Sequence, residues 1–428
     1  MILNTDIEKL VGNHVAPYIY NSNHFEPGVT PIYYSGPYWD NKEVEAAIDT
    51  LLNGKWITSG EKVASFEKYF SRKFNVKYSF MVNSGSSANL AMLAALKKRF
   101  NWNDEDEIIV SPVGFATTIS VIYQNRLKPV FIDIEWDTLN FDLNLIEEKI
   151  TPQTKAIFVS PVLGNPPDID RLLEICKKYD LKLIGDNCDS LGTKWDGNYL
   201  NDHYVAFSNS FYPAHHISTG EGGMICTNDK ELKNLIMSFS WWGRDCYCVG
   251  STNLLSCGTC GKRFSNWLES YDGNIDHKYV FSNMGYNLKP LDLQGAIGLV
   301  QLDKFDEIES KRKISKDTLE KIFTDNIPNI RGVKSLDKSN VSWFGTPFIC
   351  EEEGLKHRLV DYLESNKIQT RNYFAGNILL HPGYSFLDDS KNYPEANKVL
   401  DKVFFIGCAP HYNENVFQYV EDVIKKFK

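Results

Sequence analysis

Short apolar runs alternate with segments of helical hydrophobic spacing along most of the chain. The runs predict strands at Tyr78–Val82, Glu107–Val110, Pro129–Ile132, Ala156–Val159, Leu181–Ile184 and Tyr204–Asn209. Segments between them, such as Ala88–Lys98 and Asp168–Lys178, have the length and spacing of helices. This alternation is typical of a mainly parallel sheet with helices on both faces. Functional residues are therefore expected in loops at the strand ends.

The same pattern divides the 428 residues into three parts. Residues 1–40 are polar and irregular, residues 41–285 predict a large α/β domain, and residues 286–428 predict a smaller C-terminal α/β domain. A helix follows Asp40, and another is predicted over Leu291–Glu309. A stretch rich in Cys, Gly, Ser and Trp, at about 240–282, interrupts the large domain. It predicts a long irregular insertion, and loops of that length are usually functional or disordered.

Charge and hydropathy exclude some classes of protein. With 46 basic and 55 acidic residues the net charge is −9, which argues against a dominant role in nucleic-acid binding. No 18-residue apolar stretch is present, and the first residues lack the pattern of a signal peptide. We therefore expect a cytosolic protein without a membrane partner.

The nine cysteines are unevenly distributed. Four of them, Cys246, Cys248, Cys257 and Cys260, fall within 15 residues. In a reducing compartment such a cluster favours metal ligation or redox chemistry over structural disulfides. Four thiolates at short spacing suit tetrahedral zinc, and iron–sulfur clusters use the same ligands. Spacing alone leaves both open, with a local zinc site as the simpler interpretation.

Three segments carry candidate chemistry. Residues 83–89, Asn-Ser-Gly-Ser-Ser-Ala-Asn, join a predicted strand to a predicted helix. A helix N-terminus there would bind a phosphate, although a plain capped turn has the same appearance. Asp186 ends another strand, where a carboxylate can pair with a protonated cofactor ring or cap a helix. His215 and His216 precede a glycine-rich turn, and they suit proton transfer, metal ligation or an ordinary loop.

Six motifs in order resemble the DegT/DnrJ/EryC1/StrS sugar aminotransferase family. They are Trp56–Gly60, Asn83–Asn89, Val113–Thr118, Gly185–Cys188, Ser210–Gly223 and Gly285–Leu288. The resemblance runs from about Pro31 to the C-terminus. It implies an α/β protein of the aspartate-aminotransferase type, PLP-dependent transferase fold type I, with a mainly parallel sheet in the large domain.

The resemblance also implies which residues hold a pyridoxal cofactor. Gly85 and Ser86 would bind the cofactor phosphate, with Ser210 assisting. Phe115 would stack on the pyridine ring, and Asp186 would pair with the ring nitrogen.

Two further positions follow from the same resemblance. Asn287 would reach the phosphate of a neighbouring subunit, so the active unit should be a homodimer. His215 stands where ordinary members of the family have a lysine, and an imidazole cannot anchor the cofactor covalently as a lysine does. Pyridoxamine 5′-phosphate (PMP) or pyridoxal 5′-phosphate (PLP) would then bind non-covalently. With a reference pKa of about 6.5, His215 would act as a base, as in the sugar 3-dehydrases of this family.

A [2Fe–2S] cluster is implied by the cysteine pattern of some of these 3-dehydrases. Its ligands would be Cys188, Cys246, Cys248 and Cys260, with Cys257 competing for the fourth place because the loop is longer than in the family pattern. Electrons would come through the cluster from a separate NADH-dependent flavin/iron–sulfur reductase. This assignment favours iron–sulfur over zinc.

The expected function is PMP-dependent C3 dehydration of a nucleotide-linked 4-keto-6-deoxyhexose, with CDP-4-keto-6-deoxyglucose as the first candidate. The product would be a 3,6-dideoxysugar of the type used in lipopolysaccharide O-antigen synthesis. One alternative is a cluster-free enzyme that acts on GDP-4-keto-6-deoxymannose and regenerates its cofactor amine from glutamate. Another is a non-catalytic homologue that binds sugar nucleotides.

Overall fold

The computed structural model describes residues 4–14, 25–246 and 263–428. Its strands are β1 (Tyr78–Val82), β2 (Glu107–Val110), β3 (Lys128–Phe131), β4 (Thr154–Val159), β5 (Lys182–Asp186), β6 (Lys194–Trp195), β7 (Asn198–Tyr199), β8 (Ala206–Ser210), β9 (Gly223–Thr227), β10 (Ile330–Gly332), β11 (Ser339–Asn340), β12 (Gly345–Cys350), β13 (Thr370–Asn372) and β14 (Val403–Gly407). Its α-helices are α1 (Asn4–His14), α2 (Asn41–Asn53), α3 (Glu61–Lys73), α4 (Gly85–Arg99), α5 (Ala116–Gln124), α6 (Ile146–Lys149), α7 (Ile169–Tyr179), α8 (Lys230–Ser240), α9 (Asp292–Asn326), α10 (Leu355–Ser365), α11 (Pro394–Asn397), α12 (Val399–Lys402) and α13 (Glu414–Ile424).

A seven-stranded sheet forms the centre of the larger part of the chain. Its strand order is β1-β9-β8-β5-β4-β2-β3. All pairs are parallel except those of β9, which runs antiparallel to both β1 and β8. The predicted mainly parallel sheet is confirmed, and each of the six predicted strands is present within two residues at either end. Of the seven strands in this sheet, β9 is the one that the sequence analysis did not predict.

Both faces of this sheet are covered, as the continuous apolar runs predict. Ile108 and Val110 of β2 belong to a core cluster that includes the buried face of α4. Ile109 of the same strand belongs to a second cluster on the other face, together with Phe66 and Phe70 of α3. Successive side chains of a strand point to opposite faces, so one short run supplies both cores.

A second sheet, of four antiparallel strands in the order β10-β12-β14-β13, lies in the C-terminal part. The helix α9 links it to the large sheet. Near its start, Gly298 packs against the ring of Phe66, and near its end Phe323 stacks on Phe348 of β12 at 4.4 Å. The sequence predicts this helix only as far as Glu309, whereas it continues to Asn326.

The predicted helix after Asp40 is α2, and Asp40 caps it in a capping box with Glu43. Its fully buried residues are Glu43 and Thr50, whereas the apolar Leu51 and Leu52 are exposed. Glu43 accepts hydrogen bonds from Gln301 and Lys304 of α9.

The predicted irregular insertion begins where α8 ends, at Ser240. Between there and residue 282, the described residues contain a single turn of 3₁₀ helix, His277–Tyr279, and isolated bridges such as Arg244 with Phe281. Residues 247–262 lie outside the described ranges. The predicted domain boundary between residues 285 and 286 stays a prediction. None of the helices in the described ranges has the length and apolar character needed to cross a bilayer.

Candidate active site

A cavity of about 360 Å³ lies at the carboxyl ends of β5 and β8, beside the start of α4. Most of the residues that the sequence analysis selected line it, and these are Gly85, Ser86, Phe115, Asp186, Cys188, Ser210 and His215. They come from four separate segments of the chain. The position of the cavity follows the rule that ligands of open α/β sheets bind beyond the carboxyl ends of the strands.

One end of the cavity is the N-terminus of α4. Ser84 caps this helix, since its Oγ accepts the backbone N–H of Ser87 at 3.1 Å. Gly85 begins the helix in close contact with its neighbours, because a Cβ atom there would lie 2.5 Å from the Cβ of Ser210 and 2.9 Å from the Sγ of Cys188. A helix N-terminus with small hydroxyl side chains is suited to binding an anion.

A buried carboxylate forms the floor of the cavity. Asp186 is 5% exposed, and its Oδ2 accepts hydrogen bonds from Asn89 and Thr118 at 2.7 Å each. Its Oδ1 accepts the backbone N–H of Cys188 at 3.2 Å. Ser208 fixes this network further by donating to the Oδ1 of Asn89 at 2.5 Å. The carboxylate is therefore held in one orientation, which suits a pairing partner such as a protonated ring nitrogen.

His215 lies in the loop between β8 and β9. Its backbone N–H donates to the carbonyl of Tyr212 at 2.9 Å, and its ring lies 5.3 Å from that of Phe344. Its Nδ1 atom lies 3.6 Å from the Oδ1 of Asp189. Burial, with a further contribution from the charge of Arg312, lowers the pKa of His215 to about 3. The imidazole is therefore neutral near pH 7, which is the form a proton-accepting base needs.

Asp189 is a second carboxyl group in the cavity, and it is largely shielded from solvent. Burial and the charge of Asp186 raise the pKa of Asp189 to about 8. It also accepts the backbone N–H of Leu163 at 3.3 Å. Strongly shifted ionisable groups that face each other in a cavity are typical of active sites.

Arg312 of α9 fixes the backbone of the loop that carries His215. Its side chain is buried, and its Nη2 donates to the carbonyl oxygens of Ala214 and His215 at 3.1 Å each. Its Nη1 donates to the carbonyl of Phe344 at 3.0 Å. One guanidinium thus fixes the backbone on two sides of the cavity.

The structure places the remaining predicted residues differently. Phe115 lines the cavity with a half-exposed ring, in edge contact with Phe374 at 6.0 Å. Asn287 is exposed and does not line the cavity of its own chain; its side chain accepts a hydrogen bond from Lys289. This position agrees with the predicted contact to a neighbouring subunit, which stays a prediction.

The predicted cluster ligands are only partly described. Cys188 lines the cavity, and burial together with the neighbouring Asp186 raises the pKa of its thiol. Cys246 is buried at the end of its described segment. Cys248, Cys257 and Cys260 lie outside the described residues. Among the residues that the structure does describe, no group of three or more Cys, His, Asp or Glu side chains is arranged to hold a metal ion.

Sequence reasoning missed several residues of the site. Asp189 follows Cys188 directly but belongs to no motif, and only its predicted position at a strand end could have indicated it. Arg312 acts through main-chain carbonyl oxygens, which leave no signal in the sequence. Other missed residues are aromatic side chains of the cavity wall: Tyr34, Tyr212, Phe344 and Phe374.

A mainly parallel sheet with an anion-binding helix end and a buried carboxylate facing one cavity defines the class of pyridoxal-phosphate-dependent transferases of fold type I. The chain belongs to the DegT/DnrJ/EryC1/StrS aminotransferase family, whose model matches residues 39–425. The resemblance inferred from the motifs and the expected fold are both confirmed.

Three known proteins illustrate this relationship. The chain is 36% identical over 414 residues to the lipopolysaccharide biosynthesis protein RfbH of Salmonella typhimurium, covering 94% of this chain and 93% of that protein. It is 37% identical over 414 residues to dTDP-4-dehydro-2,6-dideoxy-D-glucose 3-dehydratase of Saccharopolyspora spinosa, covering 94% and 88%. The solved structure of E. coli GDP-4-keto-6-deoxy-D-mannose 3-dehydratase with bound hydrated PLP is similar with a TM-score of 0.81. Its identity is 30%, and the match covers 92% of this chain and 99% of that one.

Proposed function

We propose that this protein removes the C3 hydroxyl group of a nucleotide-linked 4-keto-6-deoxyhexose with the help of non-covalently bound PMP or PLP. The observation that carries this proposal is the position of His215. It lines the cavity opposite the phosphate-binding helix end, and no lysine is among the described residues of the cavity wall. The 3-dehydratases found among the relatives support the same reaction.

The cavity fits the proposed cofactor. The close packing at Gly85 leaves no room for a side chain, and the main-chain N–H groups at the start of α4 would bind the phosphate. Asp186, with its fixed orientation, would pair with the ring nitrogen, and Phe115 would cover one face of the ring. When bound, the protonated ring accepts electron density, so that a C–H bond beside the amine can break and the C3 hydroxyl can leave.

The residues of the chain would carry the proton transfers. Because Nδ1 of His215 faces Asp189, the Nε2 atom is left to accept the proton. The same Nε2 atom would then give the accepted proton to the C3 hydroxyl, which leaves as water, while Asp189 keeps its own proton and orients the ring. Arg312 would keep the loop in place during these steps, because its hydrogen bonds go to the backbone and do not involve the reacting side chain.

Two sources of the required electrons are compatible with this site. We favour the cluster-free form, in which glutamate supplies the amine and two electrons and leaves as 2-oxoglutarate, with release of ammonia. The similarity to the solved GDP-4-keto-6-deoxy-D-mannose 3-dehydratase supports it. The second candidate is the [2Fe–2S] form with a partner reductase and CDP-4-keto-6-deoxyglucose as substrate. The observation that favours it is the position of Cys188, which lines the cavity beside Asp186.

We also propose that the active unit is a homodimer. The backbone N–H of Asp292 donates to the carbonyl of Ile57 at 2.7 Å, and exposed apolar side chains occur within eight residues of this contact along the chain. They are Leu51, Leu52, Trp56, Ile57, Met284 and Leu291. Large exposed apolar areas on soluble proteins commonly mark association surfaces. Sedimentation of the purified protein would test this, and a monomer at micromolar concentration would contradict it.

The reaction itself is tested by incubating the protein with PMP, glutamate and GDP-, CDP- or dTDP-linked 4-keto-6-deoxyhexose. We expect a sugar product that lacks the C3 oxygen, identified by mass spectrometry, and 2-oxoglutarate in equal amount. Transfer of nitrogen to the sugar would contradict the proposal, as would covalent trapping of PLP on the protein by borohydride. Binding without any conversion would support the non-catalytic alternative.

A separate measurement distinguishes the two electron sources. Protein purified without oxygen is analysed for iron and acid-labile sulfide, alongside a Cys188→Ser variant. Absence of both elements, with glutamate-dependent turnover, supports the cluster-free form. Two iron and two sulfide per chain, lost in Cys188→Ser, would establish the cluster-bearing form in its place.

A further inference from the structure

Phe374 reaches the cavity from a strained turn of the backbone. Its φ is 44°, in the left-handed region that bulky side chains rarely adopt. The N–H of Gly376 donates to the carbonyl of Tyr373 at 3.0 Å, and a Cβ at Gly376 would lie 2.5 Å from the Cγ of Leu400. Close packing therefore holds the turn in place. Strain that is enforced in this way is found most often at functional sites.

The same turn is attached to the segment that leads into Phe115. The backbone N–H of Ile378 donates to the carbonyl of Pro112 at 2.9 Å, and Asn377 forms an antiparallel bridge with Val113. Asn377 is fully buried. The backbone of the turn and the backbone of the loop that carries Phe115 are therefore fixed relative to each other.

The ring of Phe374 contacts three other phenyl rings. It meets Phe115 edge to face, with 6.0 Å between the ring centres and 78° between the ring planes. It also contacts Phe344 at 6.2 Å and Phe405 of β14 at 5.9 Å. Aromatic pairs at such distances stabilise each other beyond the effect of the area they bury. Phe374 thus connects Phe115 to the second sheet.

The orientation of the Phe115 ring depends on this contact. Phe115 is 54% exposed, and among the described residues Phe374 is its one aromatic neighbour. Holding an exposed side chain in one orientation costs rotamer entropy. A neighbour that already restricts the ring reduces this cost when the ring covers a ligand.

A cofactor without a covalent anchor has to be retained by contacts of this kind. The imidazole of His215 cannot anchor PLP as an amine does, and no lysine is among the described residues that line the cavity. We infer that Phe374 is a positioning residue, which holds the ring of Phe115 over the cofactor and thereby slows the release of PMP or PLP. This inference rests on the proposed function for the non-covalent binding of the cofactor.

The experiment measures the rate at which bound PMP dissociates after dilution, from the change in its fluorescence. Phe374→Gly removes the ring, and because glycine adopts a positive φ without strain, this variant is expected to fold. We expect PMP to dissociate about 10-fold faster from Phe374→Gly, whereas Phe374→Tyr keeps the aromatic contact and should change the rate less than about 2-fold. The matched control is Phe386→Gly, because the ring of Phe386 contacts that of Tyr123 at 5.3 Å and does not line the cavity.

The induced circular dichroism of bound PMP is the second measurement. At saturating PMP it should weaken in Phe374→Gly, because the cofactor ring is oriented less firmly, and it should keep its strength in Phe386→Gly. A dissociation rate and a spectrum that are both unchanged in Phe374→Gly would overturn the inference. Equal acceleration of PMP release in Phe386→Gly would overturn it as well.

A double-mutant cycle tests whether Phe374 acts through Phe115. Phe115→Ala should itself accelerate the release of PMP. Adding Phe374→Gly should then change the rate little, because residues that act as one unit have non-additive effects. Additive effects would show that Phe374 acts independently of Phe115, and the inference would be overturned.

An amine at position 215 separates this inference from the proposed function. In His215→Lys, PLP can be attached covalently, as borohydride trapping verifies, and Phe374→Gly should no longer accelerate its release. The same acceleration with attached PLP would overturn the inference. Faster release of PMP from Phe374→Gly in a protein that dehydrates no sugar would contradict only the proposed function.

Discussion

The imidazole of His215 and the carboxyl group of Asp189 face each other across 3.6 Å, from Nδ1 to Oδ1, within the cavity. The environment favours the uncharged form of both, since it lowers the pKa of His215 to about 3 and raises that of Asp189 to about 8. Burial is the main cause in each case, because it disfavours whichever form is charged. The pair can therefore exchange a proton with a substrate without first losing a strong ion pair.

Replacing His215 with Asn is expected to stop proton transfer and leave cofactor binding intact. General base catalysis contributes about 100-fold to 10,000-fold, so turnover should fall by at least about 100-fold. The measurement is exchange of the PMP methylene hydrogens with deuterated solvent in the presence of a 4-keto sugar nucleotide. Exchange at the rate of the unaltered protein would exclude His215 as the base.

Asp189→Asn is expected to change how stability depends on pH. An unfolded aspartate has a pKa of about 3.9, so the raised pKa of Asp189 means that the folded state favours its protonated form. This preference stabilises the folded state fully below about pH 4, and the stabilisation is lost as the pH rises to about 8. Asparagine has no such loss, so the change in Tm caused by Asp189→Asn should be more favourable at pH 8 than at pH 5.

The control for this experiment is Asp196→Asn, at an exposed turn between β6 and β7. We expect the Tm of this control variant to follow that of the unaltered protein at both pH values. An equal change in Tm at pH 5 and pH 8 for Asp189→Asn would show that this carboxyl group is ionised throughout the range.

Arg312 is expected to affect both the stability of the fold and the pH profile of activity. Arg312→Met removes the donor to the carbonyls of His215 and Phe344, at about 1–3 kcal/mol for an unsatisfied group, whereas the carbonyl of Ala214 keeps the hydroxyl of Ser35 as a donor. It also removes a positive charge that lowers the pKa of His215. The acid limb of the kcat/KM profile should therefore move to higher pH. Arg312→Lys keeps the charge and should shift this limb less, and identical profiles for both variants would contradict the electrostatic role.

Gly85→Ala is expected to weaken cofactor binding. The added Cβ would lie 2.5 Å from the Cβ of Ser210, so the start of α4 must move away from the position that presents its N–H groups. Overpacking of this kind costs about 1–3 kcal/mol, and we expect PMP affinity to fall about 10-fold or more. Gly12→Ala is the control, because an added Cβ there meets no atom within 4 Å. Equal PMP affinity in the two variants would contradict a tight cradle at Gly85.

The apolar runs were sufficient to locate the parallel strands, since strands buried on both faces leave a continuous signal. They missed β9 because it follows Gly220 and Gly222 and begins at Gly223, a glycine-rich stretch that predicts a turn. The sequence analysis did not predict the second half of α9 because its exposed side chains are polar. Packing of Leu319 and Phe323 against the second sheet stabilises this part of the helix. Pairing with β1 and β8 forms β9, so tertiary contacts determine this strand as well as the second half of α9.

The cavity was located by residues that belong to local motifs. Separate motifs identified Gly85, Asp186 and His215 as candidate site residues, and the sheet topology places all three in one cavity. Arg312 lies 97 residues from His215 in the chain, and its bonds to carbonyl oxygens depend on no particular partner side chain. Such a contact has no sequence pattern, so only the folded structure reveals it.

Arg312 donates hydrogen bonds to the main-chain carbonyls of Ala214 and His215. These bonds fix the backbone of the loop independently of the side chain at position 215. The scaffold and the reaction are thus decoupled at this point. A substitution at position 215 would therefore alter the chemistry of the cavity and leave the course of the main chain unchanged.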